Sequence, residues 1–379
     1  MTSTTTFKYL VISDVHIGAV RCGTQNILRN LDLFFDYFTK YKDLDAIFIA
    51  GDFFDSLLDN HTEEYHNTVT WIYRLLNFCS NNKIKLRVLE GTPSHDWGQC
   101  KIFQTLHSIS KLPVDFKYVD RVYIEHLEDF DINILYVPDE ANEAADITYN
   151  QIQDNLKELN ITTVDIAIMH GMFAYQMKHI VTNQTHDAQK YLDMVKYYIH
   201  IGHIHTHSKY ERIIAQGSFD RLSHGEEEDK GAVIAQVDTR IGGSTYTFVP
   251  NTNAKIFKTI NVPKSYTLEE VLERLDKAIL KLPVDSHVRV KAAKDHVVYQ
   301  AFEELRKRYI EYNLSKKSDD DITDDNKLID DITPVENIYE CITITSENIT
   351  ELIVSNIANH ELDTVKLYQI CQSVQQQTN

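Results

Sequence analysis

Short apolar runs that stop at an aspartate or a histidine recur through the first 250 residues, and no other feature restricts the possible fold as much. Residues 9–12 lead into Ser13-Asp14-Val15-His16, and residues 46–50 into Gly51-Asp52-Phe53-Phe54-Asp55. Residues 86–89 precede Gly91-Thr92-Pro93-Ser94-His95-Asp96, residues 166–169 precede His170-Gly171, and residues 197–201 precede Gly202-His203-Ile204-His205. A further run, 132–137, has the same Val/Ile/Tyr-rich character, which fits strands. Between the first two runs, Ile27, Leu31, Phe34, Phe35 and Phe38 recur at helical spacing, and residues 65–79 predict a second helix before the next run. Strands separated by helices predict an α/β layer fold. In an open sheet of that kind the strand ends converge on one edge, where ligands bind.

One aspartate after a strand is more often a turn residue, and a lone buried histidine is more often a satisfied structural group. The recurrence at five strand ends is what points to a site. In Asp14-x-His16 and His203-x-His205, extended backbone would place residues i and i+2 on one face, so that both side chains reach the same point. Carboxylate and imidazole together suit Mn2+, Fe2+ or Zn2+, whereas an all-oxygen shell would indicate Mg2+ or Ca2+. No cysteine lies in the cluster, which disfavours a structural zinc knot. The ligands suffice for two ions with one bridging carboxylate, an arrangement that activates water for phosphoester hydrolysis without a covalent nucleophile.

These residues resemble the calcineurin-like metallophosphoesterase superfamily, whose pattern is DxH, GDxxD, GNH[DE], a lone His and GHxH. The resemblance implies a β-sandwich flanked by helices in αββα layers and a site holding two divalent ions, Mn2+ foremost, with Mg2+, Fe2+ or Zn2+ as alternatives. It assigns Asp14, His16, Asp52 and His205 to the first ion. Asp52, His170 and His203 go to the second, with Asp52 as the bridge. His95 would contact the phosphate and assist the leaving oxygen, and Asp96 would orient His95. The third motif departs from the family pattern, because Thr92-Pro93-Ser94 stands where one Asn ligand is usual. Ser94 falls in the Asn register, and Thr92 is the alternative if the loop is anchored from Gly91.

Within the superfamily, Gln216-Gly217-Ser218-Phe219-Asp220-Arg221, Gly225-Glu226-Glu227 and Lys230-Gly231 resemble the stretch after GHxH in SbcD-type nucleases of double-strand-break repair and recombination. Asp55 departs from many members of that branch, which carry His there. The resemblance implies a DNA exo/endonuclease working as a homodimer with an SbcC-like coiled-coil ATPase. Arg21, Arg87, Lys178 and Arg212 could meet a DNA backbone, but scattered surface charge is the preferred reading of each.

The pattern divides the chain into residues 1–254, a nuclease domain, and 255–314, a small α+β capping domain. In the latter, Thr267 and Glu270 form a capping-box signature. Residues 315–326, with five aspartates, predict a solvated acidic linker, and 327–379 predict a helical segment able to dock on a partner or pack on its own domain. The five cysteines are scattered without CxxC spacing, and no apolar run reaches the roughly 20 residues of a membrane span. With no basic-then-apolar leader, a reduced cytoplasmic setting is expected. The net charge of −18 is unusual for a nucleic-acid binder. Either the substrate is small, as for a phosphodiesterase or phosphatase, or bound divalent cations and a basic partner supply the attraction. The missing Asn ligand leaves a further reading, a non-catalytic scaffold with an impaired second metal site.

Overall fold

The structure, a computed structural model, describes residues 6–139, 144–176 and 184–318. Along β1 (Thr6–Ile12), Phe7, Tyr9 and Val11 enter one hydrophobic core while Leu10 and Ile12 enter another. A strand buried on both sides requires this alternation. The chain continues through α1 (Thr24–Phe34), β2 (Ala46–Ala50), α2 (Glu63–Asn82), β3 (Lys85–Leu89), the single turn α3 (Pro93–Asp96) and α4 (Lys101–Ser110). Next come β4 (Phe116–Val119), β5 (Tyr123–Leu127), β6 (Ile132–Val137), α5 (Ala145–Glu158), β7 (Val164–His170), α6 (Ala188–Met194) and β8 (Val195–Gly202). Short β9 (Ser208–Tyr210) and β10 (Ile213–Ala215) lead to β11 (Gly231–Asp238) and β12 (Gly243–Pro250).

These strands form two mixed sheets, ordered β12-β11-β1-β2-β3-β4 and β5-β6-β7-β8-β10-β9. Between them lie Tyr9, Phe48 and Leu89 from the first sheet and Ile134, Tyr136, Ile166 and Ile168 from the second. Ile27, Leu31, Ile72, Leu75 and Phe103 of α1, α2 and α4 cover the outer face of the first sheet. Ile152, Leu156, Leu192 and Met194 of α5 and α6 cover that of the second. The fold is therefore α/β, an αββα sandwich. This is the layered sandwich that the resemblance implies; the strand ends come not from one open sheet but from two facing ones, β1, β2 and β3 from the first and β7 and β8 from the second.

α1 stops at Phe34 although its apolar spacing runs to Phe38, because Asp36, Tyr37 and Phe38 are left-handed, with φ of 45°, 50° and 66°. That turn stacks Phe38 on Phe35 and against Trp71 and Phe78, so packing overrides periodicity. Gly242, at φ 68°, lies in the hairpin turn between antiparallel β11 and β12.

A smaller unit follows: β13 (Phe257–Asn261), α7 (Leu268–Ile279), β14 (His287–Ala292), α8 (Val297–Arg308) and β15 (Asn313–Ser318). Its parallel sheet, β13-β14-β15, has its own core of Val271, Leu275, Val288, Val290, Phe302 and Leu305. The Thr267–Glu270 capping box is formed. The expected boundary after residue 314 is corrected, because residues 315–318 pair with β14 and belong to the unit rather than to a linker. Residues 319–379, including the rest of the acidic segment, the C-terminal helical segment, Cys341 and Cys371, lie outside the described residues, as does Lys178. Among the described residues no helix is long and apolar enough to cross a membrane. Cys22, Cys79 and Cys100 are free and buried.

Candidate metal centre

The C-terminal ends of β1, β2, β3, β7 and β8 meet where the two sheets touch. Beyond β1 and β2 the chain segments stay joined by backbone bonds, Val15 N and His16 N donating to Asp52 O at 2.9 and 3.1 Å, and Ile17 N to Phe53 O at 2.9 Å. The turn there is sharp. Asp14, His16 and Asp52 have φ of 50°, 54° and 48°, and His203 has φ of 96°. The two i, i+2 pairs thus reach the site through left-handed kinks and not through extended alternation, since both segments have already left their strands. Backbone of this kind is strained and collects at functional sites. At Gly51, φ is +81° and an added Cβ would fall within 3.0 Å of the His170 ring and Gly91. The two sheets approach closely at that point because no side chain is there.

Among the described residues four groups could hold a metal ion; His16, Asp55 and His95 form one and Glu90, Asp96 and Cys100 another, and the remaining two contain the expected ligands. Asp14, His16 and His205 offer atoms within 4.8 Å of one another, and so do Asp52, His170 and His203. Asp52 faces both, with Oδ1 3.2 Å from His170 Nε2 and Oδ2 3.9 Å from His16 Nε2. His16 Nε2 and His205 Nε2 are 3.1 Å apart, and His205 Nε2 is 3.8 Å from Asp14 Oδ1. All six expected ligands are brought together.

The other ring nitrogens decide what these atoms present. His16 Nδ1 lies 3.1 Å from Asp55 Oδ1, His205 Nδ1 3.4 Å from Glu226 Oε1, and His170 Nδ1 2.8 Å from the Ala50 carbonyl. With Nδ1–H donated in each case, every Nε2 turns a lone pair into the cluster. Lone pairs 3.1 Å apart on His16 and His205, and one 3.2 Å from a carboxylate oxygen on His170, repel unless a proton or a cation lies between them. Burial works against protonating His16, but Asp55, Asp52 and Asp14 outweigh it and raise its pKa to about 9. His170 likewise resists charge through burial, and Asp52, Asp14 and the Ala50 carbonyl bring it to about 10. Burial also opposes the charge of Asp52, yet His170, His16 and His95 hold its carboxyl well below the usual carboxylate range. Burial, then the neighbouring His170, pushes His203 down. A mixed carboxylate and imidazole set with converging lone pairs fits a divalent cation of intermediate softness.

The third motif separates its two candidate ligands. Ser94 is exposed. Thr92 Oγ1 lies 3.2 Å from Asp52 Oδ2 and 3.3 Å from both His170 Nε2 and His203 Nδ1, and Thr92 N donates to Asp52 Oδ1 at 2.6 Å. Thr92 therefore stands with the second ligand group.

The expected role of Asp96 is corrected. Neighbouring residues of a helical turn point about 100° apart, so in α3 the half-buried His95 turns toward His16 while Asp96 is fully buried beneath the loop. Asp96 accepts from Asp52 N (3.1 Å), Phe54 N (2.9 Å) and Gly91 N (2.7 Å), which ties the second motif to the third. Burial, with Asp52 beside it, raises its pKa to about 7. His95 is oriented instead by the Asp55 carbonyl, 3.0 Å from its Nδ1, and its ring meets His16 edge-on at 4.9 Å. Sequence reasoning missed the roles of Asp55 and Glu226. The signals available were the second Asp of Gly51-Asp52-Phe53-Phe54-Asp55 and the Gly225-Glu226 step.

Of the possible DNA contacts, Arg21 is exposed, Arg212 donates to the Leu192 carbonyl, and Arg87 is buried between the sheets. Arg87 is thus neither a DNA contact nor surface charge.

No family model and no curated protein matches the chain. Among solved structures, TT1561 of Thermus thermophilus is similar at 11% identity and a TM-score of 0.36, covering 64% of this chain and 98% of that one. GAP50, the anchor in the inner membrane complex of Plasmodium, is similar at 12% identity and a TM-score of 0.41, covering 66% and 86%. Likeness at this level carries no statement about function.

Proposed function

We propose that this chain is a metal-dependent phosphoesterase acting on DNA, a nuclease of the SbcD type. The observation that carries the reading is Asp52 standing between two ligand groups, one oxygen toward His170 and the other toward His16. Asp14, His16, Asp52 and His205 would hold one divalent ion, and Asp52, Thr92, His170 and His203 the other, with Mn2+ ahead of Mg2+, Fe2+ and Zn2+. Ions held there would supply Lewis acidity, which would activate water and offset the charge that develops on a phosphoester during in-line displacement. The protein's own part is fixed orientation. Asp55, Glu226 and the Ala50 carbonyl hold three imidazoles by their far nitrogens, so the donor atoms need not reorganise during reaction. His95, held through Nδ1, has Nε2 available to carry the proton taken by the departing oxygen.

Two features support DNA over a small ester: the resemblance of residues 216–231 to the nuclease branch, and the βαβαβ unit that follows the sandwich. The net charge of −18 favours the small phosphodiester. A DNA-binding coiled-coil ATPase would supply the positive surface the chain lacks; a second copy, with the same charge of −18, would not. The test is degradation of linear duplex DNA with Mn2+, beside hydrolysis of bis(p-nitrophenyl) phosphate. Cleavage of both, abolished by Asp52→Asn, is expected. Hydrolysis of the ester with none of DNA, even with the ATPase added, would replace the nuclease reading by the small-substrate one. Binding of at most one ion would favour the scaffold.

A further inference from the structure

We infer that Glu226 and Lys230 are positioning residues, a buried ion pair that fixes His205 by both its ring and its backbone so that Nε2 is presented to a cation. The inference rests on the metal-site reading above.

His205 follows the end of β8, and its side chain is 11% exposed, against 1% for His16 and 0% for His170. Core packing therefore holds it less than the other two. Other groups hold it instead. Its Nδ1 lies 3.4 Å from Glu226 Oε1, and its carbonyl accepts from Lys230 Nζ at 2.8 Å and from Ser218 N at 3.0 Å. Glu226 and Lys230, each 1% exposed, pair at 2.9 Å. The remaining Lys230 donor goes to Glu228 Oε1 at 2.7 Å, so the ammonium has three acceptors. Glu226 also accepts from Ser218 Oγ, Leu222 N and Ser223 Oγ, each at 3.3 Å, which leaves its carboxylate little freedom to turn.

A buried ion pair is a poor device for stability, since apolar residues of similar volume usually serve as well or better. It is a good device for orientation, because partners of a ligand imidazole fix both its tautomer and its direction. His16 has such a partner in Asp55 and His170 in the Ala50 carbonyl. Glu226 completes the set for His205, and Lys230 locks Glu226 to the backbone of the residue it orients.

The test is calorimetric titration of the metal-free full-length protein with Mn2+, wild type against Glu226→Gln and Lys230→Met. Two ions per wild-type chain are expected, with one of the two bound about 10–100-fold more weakly in each variant and the other unchanged. A purely structural role would lower the unfolding temperature and leave both affinities as they were. That result overturns the inference while the metal reading stands. A wild-type chain that binds no ion overturns both. Should neither variant fold, nitrogen-15 NMR of histidine-labelled, metal-free wild type decides, with His205 assigned from His205→Gln. A proton on Nδ1 is expected, and a proton on Nε2 alone refutes the inference.

Discussion

Replacing Arg87 by methionine tests whether the two sheets are held together at β3 and β5 by charge. The Arg87 guanidinium grips Glu125 through Nε and Nη2 at 2.8 Å each, and Asp115 through its carbonyl and Oδ1, also at 2.8 Å. Burial works against the charge of Glu125. Arg87 outweighs it, followed by Lys117 and Tyr136, and the carboxyl falls from its ordinary 4.5 to about 2. At about 1.4 kcal/mol per tenfold change in proton affinity, that lowering corresponds to roughly 3 kcal/mol of stability. Glu125 is 4% exposed, so solvent screening takes little from this figure. Because the pKa is depressed on folding, the contribution is complete above about pH 4.5 and is lost as the pH falls toward 2. Lys117 Nζ and Tyr136 Oη stay on Glu125 at 2.7 Å each, so Arg87→Met should lose part of this, about 2 kcal/mol in urea unfolding at pH 7, below the range for breaking an isolated buried pair. The gap to wild type should narrow to less than half at pH 3, where Glu125 is protonated on unfolding of the wild type. Adding Glu125→Leu should recover about 1 kcal/mol, because the carboxylate that has lost its main partner is then removed, while the buried Tyr136 hydroxyl loses its acceptor. A loss below about 1 kcal/mol at pH 7, or a gap that does not change between pH 7 and pH 3, refutes the reasoning.

Gly51→Ala should destabilise the fold by more than about 3 kcal/mol, because it combines a left-handed φ with a Cβ driven into His170 and Gly91; a thermal midpoint within two or three degrees of wild type would contradict this. Thr92→Asn, which puts an amide carbonyl where the hydroxyl faces His170 and His203, should tighten the weaker of two Mn2+ ions about tenfold in a calorimetric titration. His95→Gln should lower kcat about 10²–10⁴-fold on bis(p-nitrophenyl) phosphate with the number of bound ions unchanged, and loss of an ion instead would make His95 a ligand.

The residues of the cluster were readable from sequence because each sits within a few residues of a strand that advertises itself. Asp14, Asp52, His170 and His203 need only the strand ends to converge, and the apolar runs before them mark those ends. What could not be read depends on contacts across distant segments. Asp55 reaches His16 over 39 residues of sequence, and Glu226 reaches His205 over 21. The divergent directions of His95 and Asp96 follow from a single helical turn that no periodicity in a four-residue segment could reveal. Arg87 was misread because a charge in a strand carries no sign of burial until its partner on β5 is known. β15 escaped because Asn-Leu-Ser-Lys-Lys-Ser offers one apolar residue, and α5 because two of its buried positions are Ala145 and Thr148, which barely mark an apolar face.

The strain at the strand ends explains why the fold and the site cannot be separated in this protein. Left-handed backbone at Asp14, His16 and Asp52 costs roughly 1 kcal/mol or more per residue and persists only where surrounding contacts over-determine it. Those contacts can be named. Val15 and His16 donate to the Asp52 carbonyl, Phe219 N donates to the Asp14 carbonyl at 3.2 Å, and Asp96 collects the amides of Asp52, Phe54 and Gly91. None of these bonds involves a ligand atom of the expected set, yet each fixes where a ligand side chain starts. The same is true of the missing side chain at Gly51, which lets His170 from one sheet stand beside Asp52 from the other. The arrangement around Asp52 is therefore set by the backbone before any ligand is bound. A substitution at Gly51 or Asp96 should disrupt it as surely as one at Asp52 itself, through displaced geometry and not through a lost donor.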